Sequence, residues 1–249
     1  MPRQARIKSS IGIYHIMLRG VNGQQIFEER EDFEKFLQVL KDCKAISEFK
    51  VFAYCLMGNH IHILLQETNE SVELIMKRIA NRFVYWYNIK YKRSGNLFQD
   101  RFKSEPVDND AYILTVLSYI HQNPIKAGLC KNVSDYEFSS YKEYFKDSDL
   151  IDDDFVFEII EKDYFATFNN EKVYDNCLDV SEKTTVKVTD EQAKEIIEKV
   201  SKCKNVSEFQ TLSTNNRDKC LKRLREKGLS IRQISRLTGV SFNIVRKFN

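Results

Sequence analysis

Two of the chain's four histidines, His60 and His62, flank a single isoleucine in the run GNHIHILLQ (58–66). Side chains at i and i+2 of a β-strand leave the same face, so both imidazoles share one side with Leu64, while Ile61, Ile63 and Leu65 share the other. Two imidazoles a pleat apart suit one divalent cation, since imidazole is the commonest protein metal ligand. The same pattern also fits a pair of surface histidines, or a zinc site completed by a cysteine such as Cys55. A second stretch, LSYIHQNPIKAGL (117–129), sets Tyr119 and Asn123 four apart. That is one helical turn, so a phenol and an amide share a face. Tyrosine hydroxyls form covalent intermediates, although a phenol with a pKa near 10 needs a site that favours its anion. A metal nearby would favour that anion and would polarise a phosphoryl oxygen. Without the histidines, the plainer reading is a half-buried helix tyrosine and an asparagine capping a helix before Pro124.

These residues need elements to carry them. Residues 11–18 (IGIYHIML) are β-branched and aromatic and read as a strand. Residues 31–47 carry Phe33, Phe36, Leu37, Leu40 and Cys43 at helical spacing. KVFAYCLM (50–57) and HIHILLQ (60–66) are two strands joined at Gly58-Asn59, a tight-turn pair. Residues 71–91 return to helical period behind Ser71, a possible cap. A short edge strand at 103–107 and a helix over 109–122 follow, with Pro124 expected to end that helix. The order β-α-β-β-α-β-α predicts an α+β fold, a ferredoxin-like split-βαβ antiparallel sheet with helices on one face. The isoleucine side is then the core side, and the histidines lie on the open side. His15 falls in the first strand in phase with Ile13 and Met17 and is expected to be a buried, hydrogen-bonded residue. His121, two residues from Tyr119, should point elsewhere on a regular helix.

Four ordered stretches resemble the single-tyrosine HUH transposases, and among them most closely the REP-associated tyrosine transposases. They are YHIMLRGVNGQQIF (14–27), MGNHIHILLQ (57–66), GNLFQDRFKS (95–104) and YIHQNPIKAGL (119–129). The likeness covers about residues 5–145. It implies a nuclease domain that acts on single-stranded DNA carrying a hairpin, in the manner of a transposase. His60 and His62 match the HUH pair, with Ile61 between them. Tyr119 matches the nucleophile, and Asn123 matches the polar ligand one turn later. The implied cofactor is Mg²⁺ or Mn²⁺. The implied chemistry is nicking and rejoining through a 5′-phosphotyrosine, without a nucleotide cofactor. Tyr112, seven residues earlier on the same helix face, is the next candidate nucleophile.

Charge is distributed in blocks. Residues 1–130 carry a net +4, residues 131–186 a net −9 and residues 187–249 a net +8. Two basic regions suit a polyanion, and the acidic one between them would repel it. DNA-contacting candidates are Arg19, Asn22, Arg82, Arg101 and Lys103; aromatics interleaved from 83 to 102 could stack on bases where exposed, but Phe83 and Tyr87 fall on the helical apolar stripe and are expected in the core. The last stretch, GLSIRQISRLTGVSFNIVRKFN, pairs Ser230 with Gln233 in a capping-box pattern. It turns at Gly239 and restarts at Ser241, a helix-turn-helix pattern that would meet duplex DNA through Asn243, Arg246 and Lys247. The expected domains are a nuclease over 1–130, an acidic connector over 131–188 and a helical C-terminal domain over 189–249.

No 18-residue apolar run is present, so no transmembrane helix and no membrane partner are expected. The basic start lacks the apolar stretch of a secretory signal. Six scattered cysteines without a CxxC pair suggest reduced thiols and a cytoplasmic location. Two rival functions stand beside the transposase. One is a catalytically idle, domesticated DNA-binding regulator that uses the helix-turn-helix. The other is an RNA-binding module, whose open sheet face would need stacking aromatics where this one has histidines.

Overall fold

The computed structural model describes residues 6–171, 177–179, 190–203 and 205–248. The chain divides into two compact units, Met1–Thr184 and Thr185–Asn249. Unit 1 is a mixed α/β structure built on a four-stranded antiparallel sheet in the order β2-β3-β1-β4. The strands are β1 (Ile13–Arg19), β2 (Lys50–Met57), β3 (His60–Gln66) and β4 (Lys103–Pro106). Helix α1 (Arg30–Ser47) joins β1 to β2, α2 (Val72–Lys90) joins β3 to β4, and α3 (Asp110–Lys126) follows β4. The central pair, β1 and β3, is in register from Ile13 opposite Gln66 to Arg19 opposite His60.

Apolar spacing explains the layers. Phe36, Val39, Leu40 and Cys43 form the buried stripe of α1, and Ile75, Met76, Ile79 and Phe83 that of α2. The rings of Phe36 and Phe83 meet edge to face with centroids 5.2 Å apart, an arrangement favoured by the ring quadrupoles. These stripes join one core with Ile61, Ile63 and Leu65. Asp32 ties the two helices together. Its carboxylate accepts from the Glu28 and Glu29 N–H groups at the start of α1 and pairs with Lys90 Nζ at 2.7 Å at the end of α2. The buried charge is thereby both paired and hydrogen-bonded, which is what makes its burial tolerable.

The histidine face is not open. Helix α3 lies on it, with the Tyr119 ring 5.9 Å from that of His15 and 5.8 Å from that of His62. The sheet is therefore covered on both faces, and the expectation of helices on one face is corrected. The cause is the apolar run of α3, whose Ile113, Val116, Leu117 and Ile120 are completely buried and have only the sheet and the following segment to pack against. Pro124 likewise does not end α3. It lies inside the helix, which continues to Lys126. The Asn123 carbonyl still accepts from the Ala127 N–H at 3.0 Å, and the Pro124 carbonyl from the Leu129 N–H at 2.9 Å. Gly128, at φ +71°, makes the left-handed turn that stops it. Asn123 therefore keeps its helical position one turn after Tyr119.

Residues 131–170 belong to the same core. Two 3₁₀ turns, Val133–Asp135 and Ser140–Phe145, lead to α4 (Asp154–Ile159) and α5 (Lys162–Asn170). Tyr144 and Phe165 stack with centroids 4.3 Å apart, and both are buried among the sheet residues. Acidic composition thus resides on the outside of a segment whose Tyr141, Tyr144 and Phe165 face inward.

Unit 2 is helical: α6 (Asp190–Ser201), α7 (Val206–Gln210), α8 (Thr214–Glu226), α9 (Ile231–Thr238) and α10 (Phe242–Val245). Ser230 caps α9 by accepting from the Gln233 N–H, and Gln233 returns a bond to the Ser230 N–H. Gly239 ends α9 at φ +68°. Phe209, Leu221, Leu224, Ile234 and Val245 make its own core. No helix among the described residues is long and apolar enough to cross a membrane.

Candidate active site

The hairpin turn places the first imidazole. Gly58 and Asn59 are held against the loop after β1, whose Gly20 N–H donates to the Asn59 carbonyl and whose Ile26 N–H donates to that of Gly58. The Asn59 amide donates from Nδ2 to the Gly23 carbonyl at 3.4 Å. That contact turns Oδ1 towards His60, whose Nδ1 lies 2.8 Å away. The carbonyl oxygen can only accept, so His60 Nδ1 carries the proton and Nε2 carries the lone pair.

The second imidazole is placed by β1. His15 Nε2 lies 2.9 Å from His62 Nδ1, and His15 Nδ1 lies 3.4 Å from the Glu105 carboxylate on β4. His15 and His62 are fully buried, and His60 is nearly so. Burial holds His60 down to about pKa 4, with Asn123 beside it acting in the opposite sense. Burial also holds His62 well below its ordinary value, and the neighbouring His15, His60 and Lys126 add to this. At neutral pH both rings are uncharged, the form in which imidazole binds metal. Their centroids are 5.1 Å apart and nearly perpendicular.

Tyr119 comes down from α3 onto the rings of His62 and His15. Burial raises its phenol strongly, and Asp179 adds to the rise while Asn123 opposes it. Lys126, two turns further along α3, holds its Nζ 4.0 Å from the centre of the Tyr119 ring. Asn123 adjoins both His60 and Tyr119. Five buried polar atoms of this cluster make no hydrogen bond among the described residues: His15 Nδ1, His60 Nε2, His62 Nε2, Tyr119 Oη and Asn123 Nδ2. Buried polar atoms ordinarily find partners. His15 Nδ1 faces Glu105; the other four mark a place made for something else to bind. No group of three His, Cys, Asp or Glu side chains fit to hold a metal occurs among the described residues. Any cation here would rely on two imidazoles and an amide.

The other sequence candidates divide. Arg19, Arg101 and Lys103 line one groove with Met17 and Gln99, and Met17 stands opposite His62 in the sheet. Asn22 is exposed in the loop after β1, at φ 52°. Arg82 is exposed on α2 and interacts with Cys43 of α1, so it belongs to the helical layer and not to the histidine cluster. Arg246 and Lys247 are exposed at the end of unit 2. His121 turns away from the cluster, bonding Asn169 Oδ1 at 2.7 Å and Ser140 Oγ at 2.8 Å. The Tyr112 phenol is engaged by Glu105. Cys55 stands opposite His62 in the sheet, and burial pushes its thiol well up, away from the thiolate that metals bind.

Asn59, Glu105, Lys126 and Asp179 are site residues that pattern reading passes over. Lys126 had a signal, the i+7 spacing from Tyr119. Glu105 and Asp179 had none, because strand pairing and tertiary packing bring them in.

Comparison with known proteins points one way. Residues 8–123 match the family model described as "Transposase IS200 like". The chain is 28% identical over 105 residues to a Haemophilus influenzae protein named as a REP-associated tyrosine transposase, covering 37% of this chain and 59% of that protein. It is 23% identical over 141 residues to the REP-associated tyrosine transposase of Escherichia coli K12, covering 56% of this chain and 81% of that protein. The solved structure of a REP-associated tyrosine transposase bound to a REP hairpin matches with a TM-score of 0.52 at 17% identity, over 72% of this chain and all of that one. At that identity the match speaks for the fold.

Proposed function

We propose, from the match of residues 8–123 to the family model described as "Transposase IS200 like", that the chain is a metal-dependent transposase that nicks and rejoins single-stranded DNA through Tyr119. The observation that carries this is the convergence of orphaned atoms: His60 Nε2, His62 Nε2, Asn123 Nδ2 and Tyr119 Oη. A catalytically idle DNA binder has no need to bury two neutral imidazoles with their lone pairs unused.

In this reading the sheet, with its order β2-β3-β1-β4, is ferredoxin-like, and its histidine face under α3 is the reaction chamber. His60, His62 and the amide of Asn123 would hold Mg²⁺ or Mn²⁺, and the two free Nε2 lone pairs fit that role. When bound, the cation would polarise a non-bridging phosphate oxygen and favour the phenolate. Tyr119 Oη attacks the phosphorus. The new O–P bond forms as the bond to the 3′ oxygen breaks, leaving a 5′-phosphotyrosine and a free 3′-hydroxyl. The phenol proton leaves and the 3′ oxygen gains one, so the step is balanced without an added reactant. Attack by a 3′-hydroxyl on the phosphotyrosine reverses it. Arg19, Arg101 and Lys103 would track the strand's phosphates along their groove. A hairpin-bearing single strand is the substrate class, in line with the hairpin on the structural relative.

The C-terminal α9–Gly239–α10 segment reads as a helix-turn-helix. It would hold duplex or stem DNA through Asn243, Arg246 and Lys247. Incubation with a hairpin-bearing single strand and Mn²⁺ tests the proposal: a covalent protein–DNA adduct is expected. A sequence-specific duplex footprint without any adduct in Mg²⁺ or Mn²⁺ would favour the domesticated regulator.

A further inference from the structure

We infer that Glu105 and His15 form a relay that fixes the tautomer of His62, and so determine which of its nitrogens faces the reaction chamber. This rests on the reading of His62 as a metal ligand. It deepens that reading by assigning positioning roles to two residues outside the ligand set.

The sheet register brings the three together. His15 stands opposite Glu105 on β4 on one side. On its other side β3 carries His62, and the His15 and His62 rings lie with centroids 5.1 Å apart. The groups run in a line: Glu105 Oε2 faces His15 Nδ1 at an ion-pair distance of 3.4 Å, longer than a formed hydrogen bond, and His15 Nε2 lies 2.9 Å from His62 Nδ1. The carboxylate end sets the direction. An ionised carboxylate only accepts, so the His15 proton is on Nδ1. His15 Nε2 is then an acceptor, and the proton between the rings belongs to His62 Nδ1. His62 Nε2 is left with its lone pair, and it is the atom with no partner among the described residues. The opposite tautomer would turn an N–H into the chamber and leave nothing to bind a cation.

Glu105 is well suited to anchor the line. Burial would raise its carboxyl, yet the neighbouring His15 and Tyr112 and the hydrogen bond from the Leu178 N–H hold it below the ordinary value. It therefore stays an acceptor. His15 is fully buried, so water does not reach its contact with His62, while Glu105 at the other end is part exposed. Outer partners of this kind usually govern metal affinity by ten- to a hundredfold.

The experiment uses the full chain without metal. Long-range proton–nitrogen correlations of ¹⁵N-histidine-labelled protein report the tautomer of each ring. The proton of His62 is expected on Nδ1. In Glu105→Ala a mixture of His62 tautomers is expected, with Mn²⁺ affinity by calorimetry falling ten- to a hundredfold. Glu105→Gln keeps an accepting oxygen and is expected to restore most of both. A His62 proton on Nε2 in the wild-type chain, or an unchanged tautomer in Glu105→Ala, overturns the relay. Failure of the wild-type chain to bind Mn²⁺ would instead overturn the metal reading, and the tautomer result would still stand.

Discussion

The ammonium of Lys126 lies over the face of the Tyr119 ring, 4.0 Å from its centre. A cation in that position is attracted to the ring and stabilises negative charge as it develops on the phenol oxygen. Burial lowers the Lys126 pKa from its usual range, against the opposing pull of Cys177 and Asp179.

Lys126→Met is therefore expected to slow adduct formation about tenfold, in keeping with the loss of one partly buried cation over an aromatic ring. Lys126→Arg keeps the charge and should retain most of the rate. Single-turnover cleavage measured across both variants decides this. Equal rates in wild type and Lys126→Met would remove Lys126 from the chemistry.

Tyr119→Phe deletes one hydroxyl and leaves the buried ring in place. The covalent adduct should vanish, while binding of the hairpin-bearing strand, followed by fluorescence anisotropy, changes less than about twofold, below one hydrogen bond's usual worth. An adduct that persists would pass the nucleophile role to another group, with Tyr112 the first to examine.

Asn59 orients His60 through a 2.8 Å contact to Nδ1. Asn59→Ala should weaken Mn²⁺ binding roughly tenfold, as outer partners of metal-binding histidines do, without disturbing the far-ultraviolet circular dichroism of the fold. Calorimetric titration is the check. Unaltered affinity would mean that the strand alone aims the ring.

Acid sensitivity follows from His121. Burial holds it at about pKa 4, against an ordinary 6.5, with Asn169 acting in the opposite sense. As pH falls below 6.5 the unfolded chain takes up this proton and the folded chain does not. Stability therefore drops through the window from 6.5 to about 4, by up to about 1.4 kcal/mol per pH unit, and no further below it. Urea midpoints between pH 7.5 and 4 should fall less steeply in His121→Leu than in wild type, because the other three histidines still contribute. Parallel curves would contradict the assignment.

Arg246 and Lys247 are exposed at the end of unit 2. Replacing both with alanine should weaken duplex binding and reduce the slope of log affinity against log salt by roughly two, about one per lost phosphate contact. Cleavage of a generic single strand should stay unchanged. An unaltered salt slope would locate the duplex contacts elsewhere.

Much of the site was legible because strand parity and helical spacing are local rules. The hairpin at Gly58-Asn59, the shared face of His60 and His62, and the one-turn spacing of Tyr119 and Asn123 all follow from them. The cover over the histidine face did not, because α3 is apolar enough to pack on either side of a sheet. Pro124 misled for a related reason. Proline removes one donor, but near a C-terminus the remaining carbonyls can still be satisfied, and Gly128 supplies the true stop. Glu105 and Asp179 reach the site through pairings between distant segments, which no spacing in one strand or helix encodes.

The bonds of His121 to Ser140 and Asn169 bear on how such a domain could be transplanted. The matched family region ends at residue 123, yet the helix carrying Tyr119 is keyed from beyond it, through both nitrogens of one ring. A fusion protein built from residues 1–130 would carry every candidate catalytic group and lack the pin that holds the helix at its rotation. The compact unit runs to Thr184, and its Leu178 and Asp179 also reach the site, so an engineer grafting this domain onto another DNA-targeting scaffold should cut beyond them.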